Sequence, residues 1–193
     1  QQKTPYTANG ITSTGNITCG TVDKPLTVGG TYMAVGGLYS DLETYADNPY
    51  SLAGKKVCTG NISVENITFT DAKATCNIGG IVGIVKGADI IDNSDYYGTI
   101  RVIGVERAKV GLIAGSARTS GVVTNCAAGG NLVFETKTVE IEDGEGNVDT
   151  TVSDVLTPID ASNWFKYIYG AETTLEQVTE DGCSLLTSKP TVQ

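Results

Sequence analysis

Residues 79–102 (GGIVGIVKGADIIDNSDYYGTIRV) align without a gap on residues 111–134 (GLIAGSARTSGVVTNCAAGGNLVF), an offset of 32. Five positions are identical: Gly79/Gly111, Ile81/Ile113, Gly83/Gly115, Asn93/Asn125 and Gly98/Gly130. Most of the rest keep their character, as in Ile90/Val122, Ile91/Val123, Ile100/Leu132 and Lys86/Arg118. Fainter copies precede this pair. The element Gly-x-apolar-x-apolar starts at Gly15, Gly60, Gly98 and Gly130, spaced 45, 38 and 32 apart, and a second element recurs as Val35-Gly36-Gly37-Leu38, Ile78-Gly79-Gly80-Ile81 and Val110-Gly111-Leu112-Ile113. A repeat of this period, built of short apolar β-type runs broken by Gly and Asn, cannot bury its apolar face alone and must stack on its neighbours.

Each unit reads as three short strands, and strand side chains alternate between faces with period two. In the first strand Ile81, Gly83 and Val85, like Ile113, Gly115 and Ala117, are expected to face in, with Ile84 and Ser116 facing out. In the second, Asp92 and Thr124 face solvent, which turns Ile91, Val123, Asn93 and Asn125 inward. In the third, Ile100, Val102, Leu132 and Phe134 face in while Thr99, Asn131, Arg101 and Val133 face out. Equal parity in all three strands suits a coil with one apolar lumen. Asn93 and Asn125 then stack about 4.8 Å apart at successive corners, where their amides could bond to each other and to the turn backbone. Asn also tolerates the left-handed backbone that a tight corner demands.

The pattern Gly-Gly-Ile-Val-Gly, a spacer, Ile-x-Asn-(Ser/Cys) and then Gly-x-Ile resembles the GLUG-type repeat of large exported bacterial surface proteins and parallel β-helix adhesins. The resemblance covers roughly residues 30 to 134, with Ser94 in place of the usual Cys and Ala114 inside the glycine motif. It implies a secreted or bacterial cell-surface, outer-membrane-associated location, and adhesion rather than a defined chemistry. The expected fold is all-β: a right-handed parallel β-helix of about four irregular rungs, its handedness following the rule for parallel crossovers.

Residues 1–154 are assigned to this β-helix, with an insertion at 39–54 and a polar hairpin at 134–154 that turns at Asp143-Gly144 or Gly146-Asn147. Asp143, Glu145, Asn147 and Asp149 recur like a calcium loop, but Val148 stands where Gly is needed, so the segment reads as a solvated turn and no metal or cofactor is expected. Residues 155–193 are assigned to a cap of the same unit. Asp160 or Ser162 would open a short helix and Gly170 close it, Trp164, Phe165 and Ile168 covering the end of the coil, and 174–187 could add a last strand.

The chain carries 13 Lys+Arg against 22 Asp+Glu and no His. A net charge of -9 repels polyanions and argues against nucleic acid. The missing histidine closes off Ser-His-Asp, Cys-His and His-metal chemistry. No apolar run approaches the roughly 20 residues of a membrane-spanning helix. Gln1 follows no recognisable signal sequence and reads as the start of a mature chain or a fragment. The five cysteines, Cys19, Cys58, Cys76, Cys126 and Cys183, contain no Cys-x-x-Cys pair and read as core fillers, any pairing left open.

Protruding loops of stacked repeats are where function concentrates. The insertion interleaves Tyr39, Tyr45 and Tyr50 with Asp41, Glu43, Asp47 and Asn48, and aromatic faces flanked by carboxylates and amides suit sugar rings. Tyr39, Asp41, Tyr45, Asn48 and Tyr50 are therefore the candidate binding residues, for carbohydrate or a host or matrix protein. Lys86 and Arg118 would stack as like charges, for which Asp41, Glu43 or Asp47 is the expected countercharge. The alternative function is a β-helix polysaccharide lyase or hydrolase using Asp89, Asp92 and Asp95, near Arg101, Tyr96 and Tyr97; a structural spacer is a third reading. The repeat above places Gly121, Thr124 and Ala127 at the equivalents of the three acids, so no second acid faces them, and no catalytic residue is assigned. The sequons Asn16-Ile-Thr, Asn61-Ile-Ser and Asn66-Ile-Thr read as surface strand residues.

Overall fold

The computed structural model describes residues 10–43, 54–86, 90–117, 122–136, 155–164, 168, 170 and 182–191. It is all-β, with strands that pair in parallel from one repeat to the next. The first passage of the chain forms β1 (Ile11–Ser13), β2 (Ile17–Cys19), β3 (Leu26–Val28), β4 (Tyr32–Gly36) and β5 (Tyr39–Glu43). The second forms β6 (Lys56–Cys58), β7 (Ile62–Phe69), β8 (Thr75–Gly79), β9 (Val82–Lys86) and β10 (Ile90–Asp92). The third forms β11 (Ser94–Val105), β12 (Ala108–Gly111), β13 (Ala114–Ala117) and β14 (Val122–Thr124), followed by β15 (Ala127–Thr136), β16 (Val155–Pro158) and β17 (Ser184–Leu185).

Each passage visits the same sheets in the same order. A nine-stranded sheet collects β1, β2, β3, β6, β7, β11, β15, β16 and β17; β4, β8 and β12 form a second sheet; β5, β9 and β13 form a third; β10 and β14 pair beside them. The offset of 32 is kept in every one of these: Gly79 faces Gly111, Val82 faces Ala114, Ile91 faces Val123 and Ile100 faces Leu132. The spacings of 45 and 38 also become register, Ile17 opposite Ile62 and Ile62 opposite Ile100. Among the described residues only β16 runs antiparallel, against β15.

The core is a column of aliphatic residues that includes Ile62, Val64, Ile78, Ile91, Ile100 and Val102, each 0–1% exposed. Alternation in the nine-stranded sheet is as the sequence predicts, with Ile100, Val102 and Leu132 buried and Thr99, Arg101, Asn131 and Val133 partly exposed. The third sheet departs from prediction, because Ile84 and Ser116 are buried along with Val82 and Val85. The reason lies in glycine. A Cβ on Gly79 would fall on the Val82 carbonyl oxygen and within 2.7 Å of the Gly115 nitrogen, and one on Gly83 within 2.7 Å of the Val35 nitrogen. Sheets two and three therefore touch backbone to backbone, where stacked sheets ordinarily stand about 10 Å apart.

The C-terminal segment corrects the expected helical cap. Among the described residues there is no α-helix; residues 161–163 are turns, with Asp160 accepting hydrogen bonds from the Ser162 amide (2.8 Å) and hydroxyl (2.6 Å). Phe165 lies outside the described residues. Ile168 and Gly170 instead continue the repeat. Ile113 and Ala114 donate their amides to the Ile168 carbonyl as Ile81 and Val82 donate to that of Ile113, and Gly170 donates to Ala114. A Cβ on Gly170 would meet the Val110 nitrogen and the Gly115 oxygen, as one on Gly115 would meet the Ile78 nitrogen and the Gly83 oxygen. Ile168 and Gly170 thus take the places of Ile113 and Gly115 one repeat on, and β17, inside the strand expected at 174–187, pairs in parallel with β15. The expected hairpin turns at 143–147, with the calcium-like residues around them, lie outside the described residues.

Candidate functional site

Tyr39 and Asp41 belong to a strand, not to a protruding loop. β5 pairs with β9 through Tyr39 opposite Val82 and Asp41 opposite Ile84, so the insertion starts only after Glu43. β5 is an edge strand of its sheet, and β4, the edge of the second sheet, packs beside it. Between them lies a pair that sequence reasoning missed: the Tyr32 hydroxyl donates to Asp41 Oδ2 at 2.8 Å, with Tyr32 36% exposed. Tyr39 is half-buried against the core, and that burial pushes its phenol above the ordinary range. Tyr45, Asn48 and Tyr50 lie outside the described residues, as do Asp47 and Arg118. The register sets Glu43 directly opposite Lys86, the one suggested countercharge that can be placed on that column.

Of the acidic trio, Asp92 and Asp95 can be placed, and each is engaged by another side chain. Asp89 lies outside the described residues. Asp92 Oδ1 accepts from the Asn125 amide at 2.8 Å and the Thr124 hydroxyl at 3.2 Å, tying one repeat to the next. Asp95 is 7% exposed and its Oδ1 sits 2.6 Å from Lys55 Nζ. Arg101 turns to Glu65 on the neighbouring strand at 3.0 Å, where Ser63 also donates at 2.8 Å. Tyr96 is wholly buried, its hydroxyl donating to the Gly60 carbonyl at 3.3 Å, and burial carries its pKa upward.

Asn93 and Asn125 hold the left-handed backbone predicted for the corner, each with φ of 49°. Their side chains correct the prediction of an inward ladder: Asn125 is exposed, Asn93 partly so, and the Asn125 amide donates to Asp92. A left-handed residue interrupts strand alternation, so parity counted through it fails. An asparagine ladder exists elsewhere, on the open face of the long sheet and in two of the sequons. Asn16 Oδ1 accepts from the Asn61 amide and Asn61 Oδ1 from the Thr99 amide, both at 2.9 Å.

An inward column at one corner was also missed. Register places Lys56 beside Ser94, Ser94 beside Cys126, and Cys126 beside Cys183. Lys56 is 1% exposed, with Nζ donating to the Gly54 carbonyl at 2.8 Å. Its burial lowers its pKa, an effect that the charge of Asp92 partly offsets. Ser94 donates to the Asp92 carbonyl at 3.0 Å. The alignment of Ser94 on Cys126 was readable, but the irregular early spacing hid Lys56, and Cys183 lay beyond the recognised repeats. Cys58, Cys76 and Cys126 are buried, as expected of core fillers, and burial pushes the Cys76 thiol up to about 12.

Among the described residues, no group of three or more acidic or thiol side chains is placed to hold a metal ion, and no helix is long and apolar enough to cross a membrane. No protein-family description, curated protein or solved structure matches this chain.

Proposed function

We propose that the repeats close into a right-handed parallel β-helix that serves as a non-enzymatic binding and adhesion module, secreted or displayed on a bacterial surface, and that it takes carbohydrate at the β4–β5 edge. The observation that carries this reading is the exposed Tyr32 ring with its hydroxyl fixed to Asp41, at the point where the 44–53 segment leaves β5. A ring held in place by its own hydroxyl loses little freedom on stacking against the C–H face of a sugar, and the Asp41 carboxylate serves to fix that ring. The repeated return to the same three sheets supports closure. The GLUG-type resemblance supports surface display. Asp92 and Asp95, two of the three acids of the lyase or hydrolase reading, are engaged with Asn125, Thr124 and Lys55.

The test is a glycan array probed with the intact protein and with Tyr32→Ala, Asp41→Asn and a Tyr39→Ala, Tyr45→Ala, Tyr50→Ala variant. Saturable binding without turnover, weakened about fivefold in Tyr32→Ala, is the expected result; a stacked ring is worth on the order of 1 kcal/mol. Depolymerisation of a bound glycan would overturn the non-enzymatic reading, and glycan binding unchanged in all three variants would move the site elsewhere.

A further inference from the structure

Cys126 and Cys183 are 57 residues apart in sequence yet side by side in the fold. β17 pairs with β15 through Ala127 opposite Ser184 and Ala128 opposite Leu185, which sets Cys183 opposite Cys126 one residue earlier, and the Ser184 amide donates to the Cys126 carbonyl at 2.8 Å. In-register neighbours on parallel strands stand about 4.8 Å apart, inside the 4.4–6.8 Å between Cα atoms that a disulfide spans. Cβ atoms at that spacing must close by about 1 Å to reach the roughly 3.8 Å typical of a disulfide. β17 supplies that movement, since it is two residues long and lies at the edge of the sheet. The Cys126 thiol donates to the Thr124 carbonyl at 3.0 Å and the Cys183 thiol to the Val123 carbonyl at 3.8 Å, and the proximity of the two thiols lowers the pKa of Cys183 and raises that of Cys126. Cys183 is half-buried and reachable, whereas Cys126 is 0% exposed.

We infer that Cys126 and Cys183 are a dithiol site that a disulfide-class oxidant converts into an intramolecular disulfide, locking the C-terminal strand onto the last full repeat. The Cys183 thiolate attacks one sulfur of the oxidant, breaking its S–S bond, releasing one thiol and leaving a mixed disulfide. The Cys126 thiol then gives up its proton and attacks the Cys183 sulfur, expelling the second thiol. The protein loses two electrons and two protons, and one disulfide of the oxidant becomes two thiols. Glutathione disulfide or the active-site disulfide of a thiol oxidoreductase meets that requirement. The other three cysteines have different stations: Cys58 faces Gly37, Cys76 is wholly buried, and Cys19 lies on the first passage.

The experiment equilibrates the intact chain with glutathione disulfide, quenches it with an alkylating agent, and maps the peptides without reduction. The expected product is a Cys126–Cys183 cross-linked peptide with a mass loss of about 2 Da, and a thermal midpoint raised by on the order of 10 °C that falls back on reduction. Cys183→Ser should abolish both, while Cys19→Ser, a partly exposed site elsewhere, should leave both in place. A glutathione adduct that stays on Cys183, a cross-link to another cysteine, a covalent dimer, or a disulfide that leaves the midpoint unmoved would each overturn the assignment. Because the cross-link is read in the unaltered chain, poor folding of a variant does not decide the matter.

Discussion

At the scale of single residues, size is balanced across the core between the nine-stranded sheet and the glycine corners. A Cβ on Gly80 would fall on the Tyr96 ring and one on Gly37 within 2.5 Å of Cys58 Sγ, while Leu112, at the position equivalent to Gly80, has Ala128 at the position equivalent to Tyr96. A Cβ on Gly80 would also strike the Leu112 carbonyl, which cannot yield. Gly80→Ala should therefore cost at least about 2 kcal/mol in urea unfolding, and Tyr96→Ala in the same chain should fail to restore it. The buried thiols and phenols set the response to pH. A group whose folded pKa is raised contributes stability that is complete below its unfolded pKa and lost above it. For Cys76 that window runs from 9.0 to about 12, and the raised pKa values of Cys58, Tyr39 and Tyr96 act in the same direction. Lys56, lowered from 10.5, works against this trend. Since the chain has no histidine, stability should be nearly level from pH 6 to about 7; the lowered pKa of Cys183, about 7 against 9.0 unfolded, adds stability as pH rises between those values, and the raised groups bring stability down above pH 9. Urea titrations at successive pH values measure this, and Cys76→Val should move the fall towards higher pH.

At the scale of elements, adjacent strands are tied by side chains that reach the backbone of the next repeat. Asn61 is central, since its amide donates to Asn16 and its side chain accepts from Thr99. Asn61→Ala should cost on the order of 1 kcal/mol and speed hydrogen exchange at the Thr99 amide, with no change at Val102, whose side chain is buried in the core. Exchange at Thr99 that matches the unaltered protein would remove the ladder from the account. The registers of the strands were legible in the sequence, because Gly79/Gly111, Ile91/Val123 and Ile100/Leu132 carry the same demands in both copies. The side-chain directions at 93 and 125 were not, because a left-handed corner breaks the alternation on which parity rests. Tyr39 and Asp41 were read as loop because β5 has no glycine motif of its own and shows its identity only by pairing with β9. The partner of Asp41, Tyr32, stands at the start of β4, a position that a search for aromatic residues within the insertion passes over.

At the scale of the whole molecule, one register runs from the first passage through the C-terminal segment. Trp164 and the turn at 160–163 suggested a helix because Asp160 does cap local amides, but Ile168 and Gly170 obey the demands of the column they extend. Removing residues 155–193 should therefore do more than uncap an end. It would strip the backbone partners of Ile113, Ala114, Cys126 and Ala128, leave strand edges open, and produce a chain that melts lower and self-associates, as gel filtration and thermal unfolding would reveal. The account's central claim, that the repeats stack in a single register continued by the C-terminus, is tested most directly by methyl nuclear Overhauser contacts in Ile/Leu/Val-labelled protein. Stacking predicts the chain of contacts Ile17 to Ile62, Ile62 to Ile100 and Ile100 to Leu132, a second chain from Ile81 to Ile113 to Ile168, and a contact between the Tyr96 ring and the Gly80 Cα protons. Absence of the Ile113–Ile168 contact, or a direct Ile17–Ile100 contact that skips a repeat, would contradict it.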